Sequence, residues 1–206
     1  MRKIDSVIIH CSATKAGMDF SVADIDRWHR VQGMNGIGYH YVVRLDGTVE
    51  KGREVEVAGA HCLGWNGRSI GICYIGGLDT NGNPADTRTD EQKKSMKGLV
   101  EELKLRYRIV TVMGHRDTSP DLNGDGVIEP YEYVKACPCF DVREFMKSGR
   151  ELLFVLLLGF VLPGVLSGCR TKKEVISRSS EVQMDSSSSG HSSHMASYDV
   201  NQERKM

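Results

Sequence analysis

The chain lacks a net charge: 27 Lys plus Arg stand against 27 Asp plus Glu over 206 residues. This removes the main electrostatic reason to expect nucleic acid as a partner, because phosphate binding needs a basic surface. It also lacks the biased composition of a disordered or collagen-like chain, with 40% hydrophobic and 26% charged residues and 22 Gly. No apolar leader opens it. Met1-Arg-Lys is followed at once by Ile4-Asp5, and the run SVIIH is too short for the core of an export signal. Synthesis and folding in the cytoplasm are therefore expected. Without export, Cys11, Cys62, Cys73, Cys137, Cys139 and Cys169 are not expected to form a disulfide framework; metal binding or simple burial is. No internal repeat is visible.

The zero balance conceals a split. Residues 1–145 carry 19 basic and 21 acidic residues, and residues 146–206 carry 8 and 6. From Leu152 to Gly168, 17 residues pass without a charge, near the lower limit of roughly 17 for a spanning helix. The same stretch reads as a basic segment at 146–150, an apolar segment at 152–162, and Leu166-Ser-Gly-Cys169, which resembles a bacterial lipoprotein cleavage box. A buried core helix fits less well, since Gly159, Pro163 and Gly164 weaken it and no polar face alternates with the apolar one. Beyond Ser177 the chain is polar and low in complexity, with too little apolar surface to offset its ordering entropy. Three regions are expected: a domain over 1–148, a hydrophobic helix over 149–169 that contacts a membrane through 152–168, and a disordered tail over 170–206. The segment is a membrane anchor, an internal lipoprotein signal, or a neighbouring reading frame fused to the domain.

Within 1–148, helical and strand patterns alternate. Ser6–His10 is a β-branched run that reads as a buried strand. Ser21 with Asp24 is close to a capping box, opening a helix to about Gln32 with Val22, Ile25, Trp28, His29 and Val31 as its apolar contacts. Residues 39–45 and 48–51 flank Asp46-Gly47, a hairpin signal. Residues 69–75 and 109–113 read as strands. Thr89 and Gln92 form a second capping box before Met96, Leu99, Val100 and Leu103, and a short helix begins near Asp141. The expected fold is α/β, a mixed central sheet flanked by helices.

Three side chains suggest a metal site: His10 and His115 at strand ends, and Cys137 in KACPCFD. Spacing alone does not join them, and a lone strand histidine is more often a satisfied core residue. The runs IIHCSAT (8–14), GYHYVVRLDGTVEKGR (38–53), GAHCLGWNGRSIGICYIGG (59–77), GHRD (114–117) and KACPCFD (135–141), in that order, closely resemble the zinc N-acetylmuramoyl-L-alanine amidases. The likeness is strongest to the small phage lysozyme-type amidases, which share their fold with peptidoglycan recognition proteins. The resemblance covers about residues 4–146.

The resemblance implies zinc held by His10, His115 and Cys137, three protein ligands that leave a fourth position for water. Cys139 offers a second thiol, but Cys137 alone sits in the Lys-Ala-Cys-Pro register. Tyr39 and Lys135 match catalytic positions, where a phenol and an ammonium would stabilise a developing oxyanion. No Glu stands out as general base, and which of the two moves the proton stays open. His61, with Asn66 nearby, matches a groove-lining, substrate-binding position; His29 and His40 are expected to be structural, and Cys11, Cys62 and Cys73 to be packing residues.

The implied activity is hydrolysis of the amide between N-acetylmuramic acid and L-alanine in peptidoglycan, by a monomer acting on the cell wall as an endolysin does. The alternative is a module that binds peptidoglycan without cutting it. A second pattern is independent of the family. Asp121, Asn123, Asp125, Gly126 and Glu132 fit the calcium-loop string, with four oxygen-bearing side chains as ligands; the same residues also suit a polar surface turn.

Overall fold

The computed structural model describes residues 2–148. The hydrophobic helix expected at 149–169 and the tail at 170–206 lie outside the described residues. Among the described residues no helix is long and apolar enough to cross a membrane.

Five strands form one sheet. β1 (Ser6–Cys11) lies in its interior, parallel to β5 (Ser69–Tyr74) on one side and to β7 (Thr111–Gly114) on the other. Beyond β5 comes β3 (Tyr41–Val43), again parallel, and then β4 (Val49–Lys51), antiparallel to β3 across the hairpin. The order is β4-β3-β5-β1-β7, a mixed sheet as expected. Every residue of β1 and β5 is buried, the mark of strands covered on both faces. A small parallel pair, β2 (Thr14–Lys15) with β6 (Gly77–Leu78), extends the chain beyond the ends of β1 and β5 and was not visible as a sequence pattern.

The two-residue alternation of the strands sorts the core. Val7, Ile9, Ile70, Ile72 and Tyr74 pack with Met96, Leu99, Val100 and Leu103 of α2 (Asp90–Arg106) and with Val142 and Phe145 of α3 (Val142–Lys147). On the opposite face, Val42 and Cys73 pack with Ile25 of α1 (Val22–Val31). Both capping boxes form, at Ser21/Asp24 and Thr89/Gln92. Gln92 is fully buried and also donates from Nε2 to the carbonyls of Val43 (3.1 Å) and Ile75 (2.9 Å), tying the start of α2 to two strand ends. Val31 departs from expectation. It is 78% exposed, because the face of α1 turned to the sheet carries Ile25 and His29 and the last turn rotates Val31 away.

Met96 is fully buried at the centre of the α2 contact. Met96→Ala is expected to cost about 2–5 kcal/mol, from lost transfer energy plus the cavity left behind. Denaturant unfolding followed by circular dichroism checks this; a loss below 1 kcal/mol would contradict the packing described.

Candidate metal centre

Sheet register builds the site. His10 is the fifth residue of β1, paired with Cys73, and Gly114 at the end of β7 pairs with Ile9. His115 therefore begins one step beyond the sheet, beside His10, at the carboxyl edge of the parallel strands. That edge is where open α/β sheets bind ligands. The third member arrives from the loop before α3. Gly114 allows the approach: a Cβ there would stand 2.6 Å from Pro138 Cδ. The loop is then fastened from three sides. Cys11 N–H donates to Cys137 Sγ (3.3 Å), Arg116 N–H to the Cys137 carbonyl (2.7 Å), and the buried Tyr74 hydroxyl to the Pro138 carbonyl (2.8 Å). Asp117 of GHRD accepts the Gly114 N–H (2.8 Å) and holds the turn that presents His115.

One donor atom each from His10, His115 and Cys137 lies within 4.8 Å of the others; among the described residues this is the one group of three or more His, Cys, Asp or Glu drawn together in this way. His10 Nδ1 stands 3.8 Å from Cys137 Sγ. Tetrahedral zinc, at bond lengths near 2.05 and 2.3 Å, would place N and S about 3.6 Å apart, so the donor set and its spacing fit that metal. Burial, then the neighbouring His115, His61 and Lys135, pushes His10 well below the usual histidine range. A neutral imidazole is the form a metal takes. The thiol of Cys139 lies elsewhere, with Sγ 4.0 Å from Cys11 Sγ.

The cluster opens into a cavity of about 150 Å³, lined among others by His29, Tyr39, His61 and Lys135. The Tyr39 ring is 5.1 Å from that of His10 and 5.3 Å from that of His29. His29, expected to be structural, is buried at the cavity wall and accepts the Gly38 N–H at Nδ1 (3.0 Å). Asn66 is not part of the lining. Its Oδ1 accepts the N–H groups of His61 (2.8 Å) and Cys62 (2.9 Å), and so ties down the loop that carries His61. Sequence reasoning also missed supporting groups. Cys62 Sγ lies 3.4 Å from Thr118 Oγ1, whose hydroxyl donates to the His115 carbonyl (2.7 Å). A polar Ser69 inside an otherwise apolar strand was the available signal for a buried polar network on that face.

The calcium expectation gains no support. Asp121 accepts the N–H groups of Gly124 and Gly126 (both 2.7 Å), Asn123 that of Asp125 (3.0 Å), and Asp125 that of Val127 (2.8 Å). Glu132, 3% exposed, accepts from Leu122 (2.7 Å), Asn123 (3.3 Å) and Glu129 (2.8 Å). The oxygens thus close the loop on its own backbone, and Asp121, Asp125 and Glu132 are not drawn together as the His–His–Cys group is.

Fold and site together define an α/β protein with a His–His–Cys centre at the carboxyl edge of its sheet, the class of a metal-dependent hydrolase. The sequence profile of the N-acetylmuramoyl-L-alanine amidase family matches residues 1–138, so the chain belongs to that family. It is similar to the endolysin of Enterobacteria phage K11, 40% identical over 141 residues that cover 68% of this chain and 84% of the relative. The endolysin of Klebsiella phage KP32 is 39% identical, with 71% and 88% covered. Among solved structures, the N-acetylmuramoyl-L-alanine amidase LysC from Clostridium intestinale superposes with a TM-score of 0.55 at 26% identity, covering 71% and 85%. The protein is accordingly a peptidoglycan amidase, cutting the bond between N-acetylmuramic acid and L-alanine.

Buried neutral histidines set a pH dependence. Burial is the main cause that holds His40 down to about 4; Arg2 and Arg53 add to it, against the Val57 carbonyl bond and Glu56. His61 is held down to about 3 by burial first, then by His40, His115, Arg2 and Arg53. Unfolded histidine titrates near 6.5. Above that value neither state binds the proton and stability is independent of these groups. Below it the unfolded chain takes up protons that the folded chain refuses, so stability falls as pH drops from about 6.5 toward 4, by about 1.4 kcal/mol per pH unit for each histidine. Melting curves in chelator, which removes metal loss as a cause, should be flat from pH 8 to 7 and decline below 6.5. A flat profile down to pH 5 would refute neutral burial.

Proposed function

We propose that His10, His115 and Cys137 hold zinc and that Tyr39 and Lys135 carry the residue chemistry of the amidase. The observation that carries this reading is the convergence of the three donors on one wall of a cavity that Tyr39 and Lys135 also line. Zinc, when bound, supplies a Lewis acid and lowers the pKa of a water to about 7. The Cys11 N–H directed at Cys137 Sγ favours the thiolate that such binding requires. His29 and Tyr39 line the same cavity as the three donors. The Tyr39 phenol donates a hydrogen bond to the carbonyl oxygen as charge develops on it. The Lys135 ammonium adds positive charge at the same place and gives a proton to the departing L-alanine nitrogen, the resulting amine then taking up the proton that the attacking water loses. A donor already held in place costs no reorganisation when charge develops.

A peptidoglycan-binding module without catalysis is the competing reading, and it predicts binding that survives loss of the cluster. Cys137→Ser is expected to lose stoichiometric zinc and at least about a hundredfold of lytic activity on purified cell walls. Lys135→Met and Tyr39→Phe should keep zinc while kcat falls about 10²-fold or more. Full lysis by Cys137→Ser would sink the assignment. We also infer that 1–148 is the catalytic unit and that the charge-free run at 152–168 contacts a membrane. Mass spectrometry of the product in its host tests the second point, through a single 206-residue chain and the lipidation state of Cys169; a chain ending near residue 148 would remove it.

A further inference from the structure

We propose that His61 is a positioning residue for His10. A hydrogen-bond chain from the Trp65 carbonyl through Ser69 and His61 fixes the ring proton of His10 on Nε2 and leaves Nδ1 bare toward Cys137 and His115. The inference rests on the reading that these three residues hold a metal. It changes the role expected for His61, from a groove residue that meets substrate to one that orients a ligand.

The chain of bonds starts at a group with no choice. A main-chain carbonyl can only accept, so Ser69 Oγ, 2.8 Å from the Trp65 oxygen, donates its one proton there. Toward His61 Nε2, 3.4 Å away, the same hydroxyl can then only accept. The ring proton of neutral His61 therefore sits on Nε2, and Nδ1 carries a lone pair. That lone pair faces His10 Nε2 at 3.0 Å, so His10 Nε2 is the donor. With its proton there, His10 presents a bare Nδ1, which is the atom 3.8 Å from Cys137 Sγ. Reversing His61 would put a proton on its Nδ1, force the His10 proton onto Nδ1, and aim N–H at the place a cation must occupy.

Two glycines hold the ring in this setting. A Cβ on Gly59 would lie 2.4 Å from His61 Cδ2, and one on Gly71 would lie 2.5 Å from the same atom. The imidazole is thus sandwiched between backbone on two sides, and both of its nitrogens are engaged inside the protein. Although the ring borders the cavity, it has no free polar atom to offer a substrate. Outer partners of metal-bound histidine are more often a carboxylate, a carbonyl or water. A neutral imidazole does the same orienting work without adding a negative charge, so the Cys137 thiolate would be the cluster's sole anion.

The test uses the full chain, with zinc affinity measured by chelator competition for the wild type, His61→Phe, His61→Asn and Ser69→Ala. His61→Phe keeps shape and removes the acceptor; it should weaken zinc binding ten- to a hundredfold. His61→Asn places an amide oxygen near the Nδ1 position and should restore most of that loss. Ser69→Ala frees the tautomer and should cost a smaller factor, roughly two- to fivefold, in line with the length of its bond. With zinc saturating, kcat should fall in His61→Phe while KM stays within about twofold. Long-range ¹H–¹⁵N spectra of the wild type should report Nε2–H on both His10 and His61.

Wild-type zinc affinity in His61→Phe with a raised KM would overturn the proposal in favour of substrate contact, and so would Nδ1–H on His61. If His61→Phe does not fold, the wild-type spectra and Ser69→Ala decide. Failure of the underlying reading looks different: the wild type itself would then bind no stoichiometric zinc, or His10→Ala would bind it equally well.

Discussion

Where His10 and His115 stand is decided by strand pairing. Because β1 is hydrogen-bonded in parallel to β7 with Ile9 opposite Gly114, the residues that follow each partner leave the sheet side by side at one edge. Because β1 is also paired with β5, His10 lies on the same face as Gly71, whose missing side chain makes room for the His61 ring. A slip of one residue in either pairing would turn His10 into the α2 side of the core and dismantle the centre, since strand side chains alternate between faces. The apolar packing of Val7, Ile9, Ile70 and Ile72 against α2 is what makes such a slip costly. In this molecule the core's main service to chemistry is to hold a register.

A second constraint acts on charge. His10, His40 and His61 all stand in dry surroundings and all are pushed toward the neutral form. Each has a defined partner: His40 Nδ1 accepts the Gly71 N–H at 2.9 Å, and His61 meets His10 at 3.0 Å. Burial is the first cause in each case, and neutral rings pack this closely without mutual repulsion. The same neutrality suits a site intended for a cation, since lone pairs are available without proton release.

Much of this was legible in the residues and some was not. The capping signals at Ser21 and Thr89, the strand runs at 6–10 and 69–75, and the alternation of helices with strands all rest on local periodicity, which survives in a sequence. The pairing order and the small β2–β6 pair do not, because they depend on contacts between distant segments. For the site, family likeness brought His10, His115 and Cys137 together across more than a hundred positions, which no spacing rule could do. His61 and Asn66 are placed in the expected neighbourhood, His61 lining the cavity and Asn66 bonded to the loop that carries it, but a residue's type does not reveal which way its ring nitrogens are engaged. Val31 was misplaced for a simpler reason: at the last turn of a short helix a residue's apolar character is a poor guide to its facing. The Asp121–Glu132 string fits a calcium loop and a surface turn alike, because the same Asx turns close both.

Glu132 clarifies how that turn matters to the centre. A buried carboxylate with three backbone N–H donors draws residues 122, 123 and 129 around itself, which closes the segment between GHRD and KACPCFD into a compact unit. Without such a closure the 19 residues between Arg116 and Ala136 would be a long tether. The entropy of bringing the Cys137 loop back against Gly114 would then fall wholly on the three bonds that fasten that loop. The turn from Asp121 to Glu132 thus helps fix the position of Cys137 through chain entropy, and its acidic residues serve as acceptors for the backbone that closes it.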